Sequence, residues 1–248
     1  MSSSISNVQL IVDGKRLDGR SQEDLRPIRM EVGILPEADG SAYIEWGGNK
    51  IICGVYGPRA CIPKHDASPY HAVVKCRYMM SPFASLEEHS RSGPSRRSVE
   101  LSKVIREVFE NTVKSEAFPN TQIDVFIDVL QAEGGTRAAS ITVAALALAN
   151  AGIPMKDMVN SVAVGKAGGE LIVDLGKVED NFGQSDMPIA FSHRDKKLHL
   201  LQMDGLLTKE ELSTMIDMAM RASDNLFEKQ AAAIRKFYEE GESDEFRM

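Results

Sequence analysis

The chain has 248 residues, 43% of them hydrophobic and 26% charged, with a mean hydropathy of -0.21; this is globular composition, with enough chain for one large core or two fused halves. No apolar run reaches the roughly 18 to 20 residues that a bilayer-spanning helix needs, so no membrane partner is expected. A net charge of -7 and a pI near 5.4 argue against a protein that coats nucleic acid nonspecifically, while leaving room for nucleic acid at one local basic site.

Along the chain, "MSSSISNVQL" has neither the basic start nor the long apolar stretch of a signal peptide. Residues 1–12 are expected to form a flexible N-terminal segment, with 10–12 as the first candidate strand. Residues 13–240 are expected to form one domain and 241–248 an acidic C-terminal tail. "DGKRLDGRSQEDLRP" is dense in Gly, Asp and Arg and reads as ordered turns. "IRMEVGIL", "SAYIEWGG", "NKIICGVYG" and "AVVKCRYMM" then suggest antiparallel strands, and the breaks "PEADG" and "GGN" have hairpin chemistry.

A loop with Pro82, Gly93 and Pro94 leads to a first helix that Ser95 or Ser98 could cap, with Val99, Val104, Ile105, Val108 and Phe109 as its apolar face. "QIDVFIDVL" is the next strand and 137–150 the second helix, stopped by Gly152 and Pro154. A hairpin "VNSVAVGKAGGELIVDL", a loop "GKVEDNFGQSD" and the strands "MPIAFS" and "KLHLLQM" follow. A last helix begins near Thr208, with Leu212, Met215, Ile216, Ala219, Ala222 and Leu226 at helical spacing. Strands then a helix, twice over, predict an α+β domain of two similar β-sheet and helix halves. Three cysteines, Cys53, Cys61 and Cys76, have spacings that suit neither zinc nor a redox pair. They read as reduced thiols in a cytoplasmic protein, with Cys53 in the core.

Three stretches carry chemistry. In "LQAEGGTRAAS" a strand enters a helix through Gly134, Gly135 and Thr136, so backbone N–H groups and the helix dipole favour an anion there. Thr136 either caps the helix or offers its hydroxyl to a phosphate, and Arg137 adds charge; a plain tight turn with a capping threonine fits the same letters. Arg96 and Arg97 open the first helix within a basic stretch that also holds Arg91, Lys103 and Arg106. Guanidinium forks suit phosphate, although adjacent arginines also suit a solvated surface. In "EDNFGQSDMP", Asp180 and Asp186 are six residues apart; they read as turn and strand-end residues or, if they converge, as holders of a divalent cation. Acid catalysis by either requires a pKa raised well above about 3.9, so metal coordination is favoured for at least one.

Together these stretches resemble the RNase PH family of phosphate-dependent 3′→5′ exoribonucleases. The matching segments are "KRLDGRSQEDLRPI", "PSRRSVELSKVIREV", "IDVLQAEGGTRAASITVAALALANAGIPM" and "EDNFGQSDMPIA", spread over most of the chain. Within the family, "DMPIA", "GIPMKDM" and "YMMSPF" are most similar to the catalytic ring subunit of the archaeal exosome. The resemblance implies the RNase PH fold (ribosomal protein S5 domain 2-like) and inorganic phosphate as nucleophile. It implies release of nucleoside diphosphates from RNA 3′ ends, with a reverse reaction that adds 3′ tails. A bacterial-type RNase PH homohexamer that trims tRNA ends is the alternative.

By position, the resemblance assigns Gly135, Thr136, Arg137 and Arg97 to phosphate, Arg96 to the RNA backbone, Asp186, Asp180 and Arg97 to catalysis, and the two aspartates to Mg²⁺ or Mn²⁺. It places Arg59, Lys64, His65 and Tyr70 in loops that contact RNA in a central channel. It implies a hexameric ring shared with a non-catalytic RNase PH-type subunit, three of each, under S1- or KH-domain cap proteins. Glu133 stands where bacterial relatives commonly have Asp. The "DGR" at 18–20 reads as a structural turn, with Arg20 tied to carboxylates.

Overall fold

The computed structural model describes residues 9–12, 14–85 and 94–245, with side chains up to residue 239. Arg91 and Gly93 of the basic loop lie outside the described residues. In chain order the elements are β1 (Ile11–Val12), β2 (Lys15–Arg16), β3 (Ile28–Val32), β4 (Gly40–Trp46), β5 (Asn49–Ala60), β6 (Val73–Met80), α1 (Arg96–Thr112), β7 (Thr121–Gln131) and α2 (Thr136–Asn150). They continue with β8 (Val159–Ala167), β9 (Glu170–Val173), α3 (Lys177–Phe182), β10 (Ser185–Ser192), β11 (Leu198–Leu201), β12 (Asp204–Gly205) and α4 (Lys209–Glu245).

Two five-stranded sheets form the two halves. The first has the order β3-β4-β5-β7-β6; in the second, β11-β10-β8-β9, β12 adds to β10. Between them lies α2, which packs on β4 and β5 of one sheet and on β8 of the other. Its sequence explains this position. It is apolar all round, so no face is suited to water, and its alanines let both sheets approach closely. Ile141, Val143, Leu146 and Leu148 are completely buried, and at roughly 1.5 to 3 kcal/mol each they contribute on the order of 6 to 12 kcal/mol, an upper bound for an extended unfolded chain. Burial therefore outweighs helix propensity in holding α2. The amphipathic α4 lays Met215, Ala219, Ala222 and Leu226 across β3, β8 and β9, joining the two halves a second time.

Several expectations change. Strand β6 runs parallel to β7, not antiparallel, because α1 supplies the long crossover that a parallel pair needs. Residues 9–12 are not a flexible lead: Leu10 is buried with Ala163, Ala167, Ile172 and Leu175, and β1 pairs with β2. Residues 241–245 of the expected acidic tail continue α4. The expected loop before β10 contains the helix α3. On α1, Ser95 is the cap, its hydroxyl accepting from the Ser98 N–H at 3.1 Å. Val99 faces solvent, while Leu101 takes its place in the core.

Candidate active site

The two halves meet at one end of α2, and there a cavity of about 480 Å³ opens. Arg97, Gly135, Thr136, Arg137, Asp180 and Asp186 all line it, although they come from three separate stretches of the chain. Helix α1 brings Arg97 to its first turn. Helix α3 brings Asp180, and the start of β10 brings Asp186, whose strand neighbours are Gly165 on β8 and Asp204 on β12. Asp204 also lines the cavity.

The anion-binding side is the turn into α2. Gly134 and Gly135 have φ of +75° and +68°, a left-handed pair that side chains resist. Gly135 is the N-cap, and it makes no side-chain cap bond; Thr136 is therefore the first helical residue, not the cap. The Thr136 hydroxyl is buried and accepts a hydrogen bond from the Tyr78 hydroxyl at 3.1 Å, which leaves its own proton to donate into the cavity. Burial pushes the Tyr78 phenol up, so it stays a donor, with Thr136, Arg97 and Arg137 pulling the other way. Arg137 lies 3.7 Å from Glu100 across α1, and its Nε is buried without a partner. An unpaired buried guanidinium N–H beside free helix N–H groups is a donor set prepared for an oxyanion.

The acidic side faces it. Burial, then Asp180, push Asp186 up to about 6; Arg137 pulls down, Asp204 pushes up and Arg97 pulls down. Asp180 is raised by burial against the pull of Arg97, Arg137 and Arg26. The described lining thus sets two guanidiniums against three carboxylates, before any substrate enters.

Among the described residues no group of three or more His, Cys, Asp or Glu forms a complete metal cage. Two converging carboxylates still suit Mg²⁺, which keeps several waters and completes its shell on substrate phosphates. Asp186, raised by burial and then by Asp180, would have its ionised form favoured by such a cation.

The remaining candidates fall elsewhere. Arg96 is exposed beside Arg97 but does not line the cavity. Neither do Arg59, Lys64, His65 and Tyr70. Arg59 is held by Asp124 at 2.6 Å and lies over the Tyr56 ring, so its charge is partly spent within the fold. His65 is 3.5 Å from Asp66, and Tyr70 is 81% exposed. Sequence reasoning passed over Tyr78 and Asp204. The second had a signal, since "MDG" is turn chemistry immediately after a strand.

A family model described as the 3′ exoribonuclease family, domain 1, matches residues 24–154, and its domain 2 counterpart matches 157–222. The chain belongs to the 3′ exoribonuclease family. The division between the two family domains falls between α2 and β8, where one sheet ends and the other begins. Among relatives in this family, the chain is 52% identical over 226 residues to the exosome complex component Rrp41 of Thermococcus kodakarensis, covering 91% of this chain and 90% of that one. It is 50% identical over 238 residues to the Rrp41 of Archaeoglobus fulgidus, covering 94% and 92%.

Two solved structures share the fold. Rice Rrp46 matches with a TM-score of 0.80 at 23% identity, covering 89% of this chain and all of that one. A chain of the Archaeoglobus fulgidus exosome with RNA bound to the active site matches at 0.77 and 24% identity, covering 88% and 93%. No helix among the described residues is long and apolar enough to cross a membrane.

Proposed function

We propose that this chain is the catalytic ring subunit of an archaeal exosome, a phosphate-dependent 3′→5′ exoribonuclease that releases nucleoside diphosphates from RNA and, in reverse, adds 3′ tails. The observation that carries this reading is the single cavity in which Gly135, Thr136 and Arg137 face Asp180 and Asp186. It joins an oxyanion seat to a carboxylate pair within one reaction volume.

Phosphate rests on the N–H groups at the start of α2, the Thr136 hydroxyl and the Arg137 and Arg97 guanidiniums. One of its oxygens attacks the phosphorus of the terminal phosphodiester. A new P–O–P link forms, the bond to the 3′ oxygen of the preceding nucleotide breaks, and the proton of hydrogenphosphate ends on the freed 3′ hydroxyl. Charge gathers on both phosphorus centres, so preorganised donors are the main source of rate. Asp180 and Asp186 would hold Mg²⁺ or Mn²⁺, which supplies neutralisation of that charge when bound. Arg96, exposed at the start of α1, holds the RNA backbone.

The partner is a non-catalytic RNase PH-type subunit in a ring of three heterodimers, with S1- or KH-domain caps, in the cytoplasm. The three free cysteines suit a reducing compartment. The test is product analysis with and without phosphate and Mg²⁺, on the chain alone and with its ring partner. Nucleoside diphosphates appearing only with phosphate support the reading. Nucleoside monophosphates without phosphate overturn it, and a fully active homohexamer of the chain alone favours the bacterial-type enzyme.

A further inference from the structure

The anion seat is built on two adjacent glycines, the residues least able to hold a conformation by themselves. Something outside the turn must fix it, and the structure contains such a device. Arg26 is 7% exposed and points its fork at the turn: Nη1 donates to the Glu133 carbonyl at 2.6 Å and Nη2 to the Gly134 carbonyl at 3.3 Å. Asn49, fully buried, grips the same peptides from the β4–β5 hairpin. Its Nδ2 donates to the Gly134 carbonyl at 2.6 Å, and its Oδ1 accepts the Glu133 N–H at 2.6 Å.

Arg26 is itself locked. Its Nε and Nη2 bond Asp174 at 3.0 and 2.7 Å, and its backbone N–H donates to the same carboxylate at 2.6 Å. Asp174 is 2% exposed and also accepts from Trp46 Nε1 at 2.9 Å and Arg20 at 3.3 Å. Stability alone explains this poorly, because a buried ion pair is often no better than an apolar replacement. What the pair adds is direction: one planar fork spans a fixed carboxylate and the carbonyls of the catalytic turn.

We propose that Arg26 and Asn49 are positioning residues for the phosphate-binding turn, with Asp174 orienting Arg26. They touch no substrate and act by holding Gly134 and Gly135 so that the α2 N–H groups converge on the anion. This rests on the phosphorolytic reading above. It predicts a selective defect, because the turn meets phosphate while RNA is gripped elsewhere.

The experiment uses the assembled ring with its partner subunit and compares wild type with Arg26→Lys and Asn49→Ser. KM for phosphate and kcat are measured in phosphorolysis, KM for the nucleoside diphosphate in tailing, and the RNA dissociation constant separately. The expected result is a phosphate KM raised about 10-fold or more. The diphosphate KM should rise in parallel, since its terminal phosphate leaves from the same seat, and RNA affinity should stay within about twofold of wild type. A purely architectural role lowers kcat with the folded fraction and leaves the phosphate KM unmoved, and that result overturns the proposal. Should Arg26→Lys fail to assemble, Asn49→Ser, which removes no charge, decides the matter by the same readout. A wild-type ring that yields no diphosphates with phosphate present overturns the phosphorolytic reading, and the positioning role with it.

Discussion

Replacing Gly134 by alanine places a methyl group where the phosphate turn rests on the start of α3. The added carbon would lie 2.7 Å from the Lys177 nitrogen and 2.8 Å from the Gly176 carbonyl carbon. Both are backbone atoms, so no side chain can swing aside. The φ of +75° adds the left-handed penalty of an L-residue, about 1 to 2 kcal/mol. Gly152, at the other end of α2, provides a control: its φ is +68°, but nothing lies within 4 Å of the added carbon. Gly152→Ala should therefore cost only the conformational penalty, a fall in Tm of roughly 2 to 8 °C, with phosphorolysis per folded ring unchanged. Gly134→Ala adds about 1 to 3 kcal/mol of overpacking, and relieving it pushes the turn away from α3. That motion separates Gly135, Thr136 and Arg137 from Asp180, and misplacement of such a constellation by about 1 Å lowers the rate on the order of 100-fold. Thermal melts and diphosphate release, measured on both variants, decide it. Equal losses of Tm, or wild-type phosphorolysis from Gly134→Ala, would refute the packing argument.

Asp186→Ala is expected to abolish diphosphate release while RNA retention on a filter stays close to wild type; a variant that keeps most of its rate removes Asp186 from the mechanism. Arg96→Glu combined with Arg97→Glu should weaken RNA binding and abolish activity. Each lost backbone contact lowers the slope of log affinity against log salt by about 0.7 for a single strand, so an unchanged slope counts against RNA contact. Asp186 titrates near 6 in the folded chain, above the ordinary value of about 3.9. The native state therefore holds the proton more tightly. This contribution to stability is complete below about pH 3.9 and is lost as pH rises through 6. Tm measured against pH for wild type and Asp186→Asn should diverge across that window, and parallel curves would contradict the elevation.

Much of the architecture was legible because the signals were local. Alternation in "QIDVFIDVL" and "SAYIEWGG" and the turn chemistry between strands located β4 and β7 to within a residue or two and the start of β5, which runs three residues further than expected. The alanine- and leucine-rich 137–150 stretch marked α2 as a buried helix. Strand direction was not legible, since β6 carries the same alternation whether it runs parallel or antiparallel. Helix α3 was hidden by its shortness and by glycines at both ends, and docking of Leu10 depended on a pocket made by β8 and β9. At the site, the roles of Arg97, Gly135, Thr136, Arg137, Asp180 and Asp186 came from motif resemblance, and the structure brings all six to one cavity. Arg26, Asn49 and Asp174 had no sequence signal, because they act on backbone carbonyls and on each other through contacts between distant segments. Arg59 reads as a free cation in sequence only because Asp124 is 65 residues away.

The charge balance in the cavity bears on what Asp186 does. Its elevation to about 6 reopens the acid role that an ordinary aspartate lacks near neutrality. The lining carries three carboxylates and two guanidiniums, and the reaction brings a phosphodiester and a phosphate into the same volume. A proton on Asp186 removes one negative charge. A divalent cation held by ionised Asp180 and Asp186 would supply two positive charges and so would relieve the crowding more fully. Burial first, then Asp180 and Asp204, raise Asp186, and in a lining with more carboxylates than guanidiniums that elevation fits a carboxylate short of positive charge better than an acid tuned to donate. The proton bookkeeping agrees, because hydrogenphosphate already carries the proton that the leaving 3′ oxygen requires. On this argument chelation stops phosphorolysis at every pH, whereas an Asp186 acid would lose activity only above about pH 6 and would be indifferent to chelator. A pH profile recorded with and without chelator separates the two roles for one side chain.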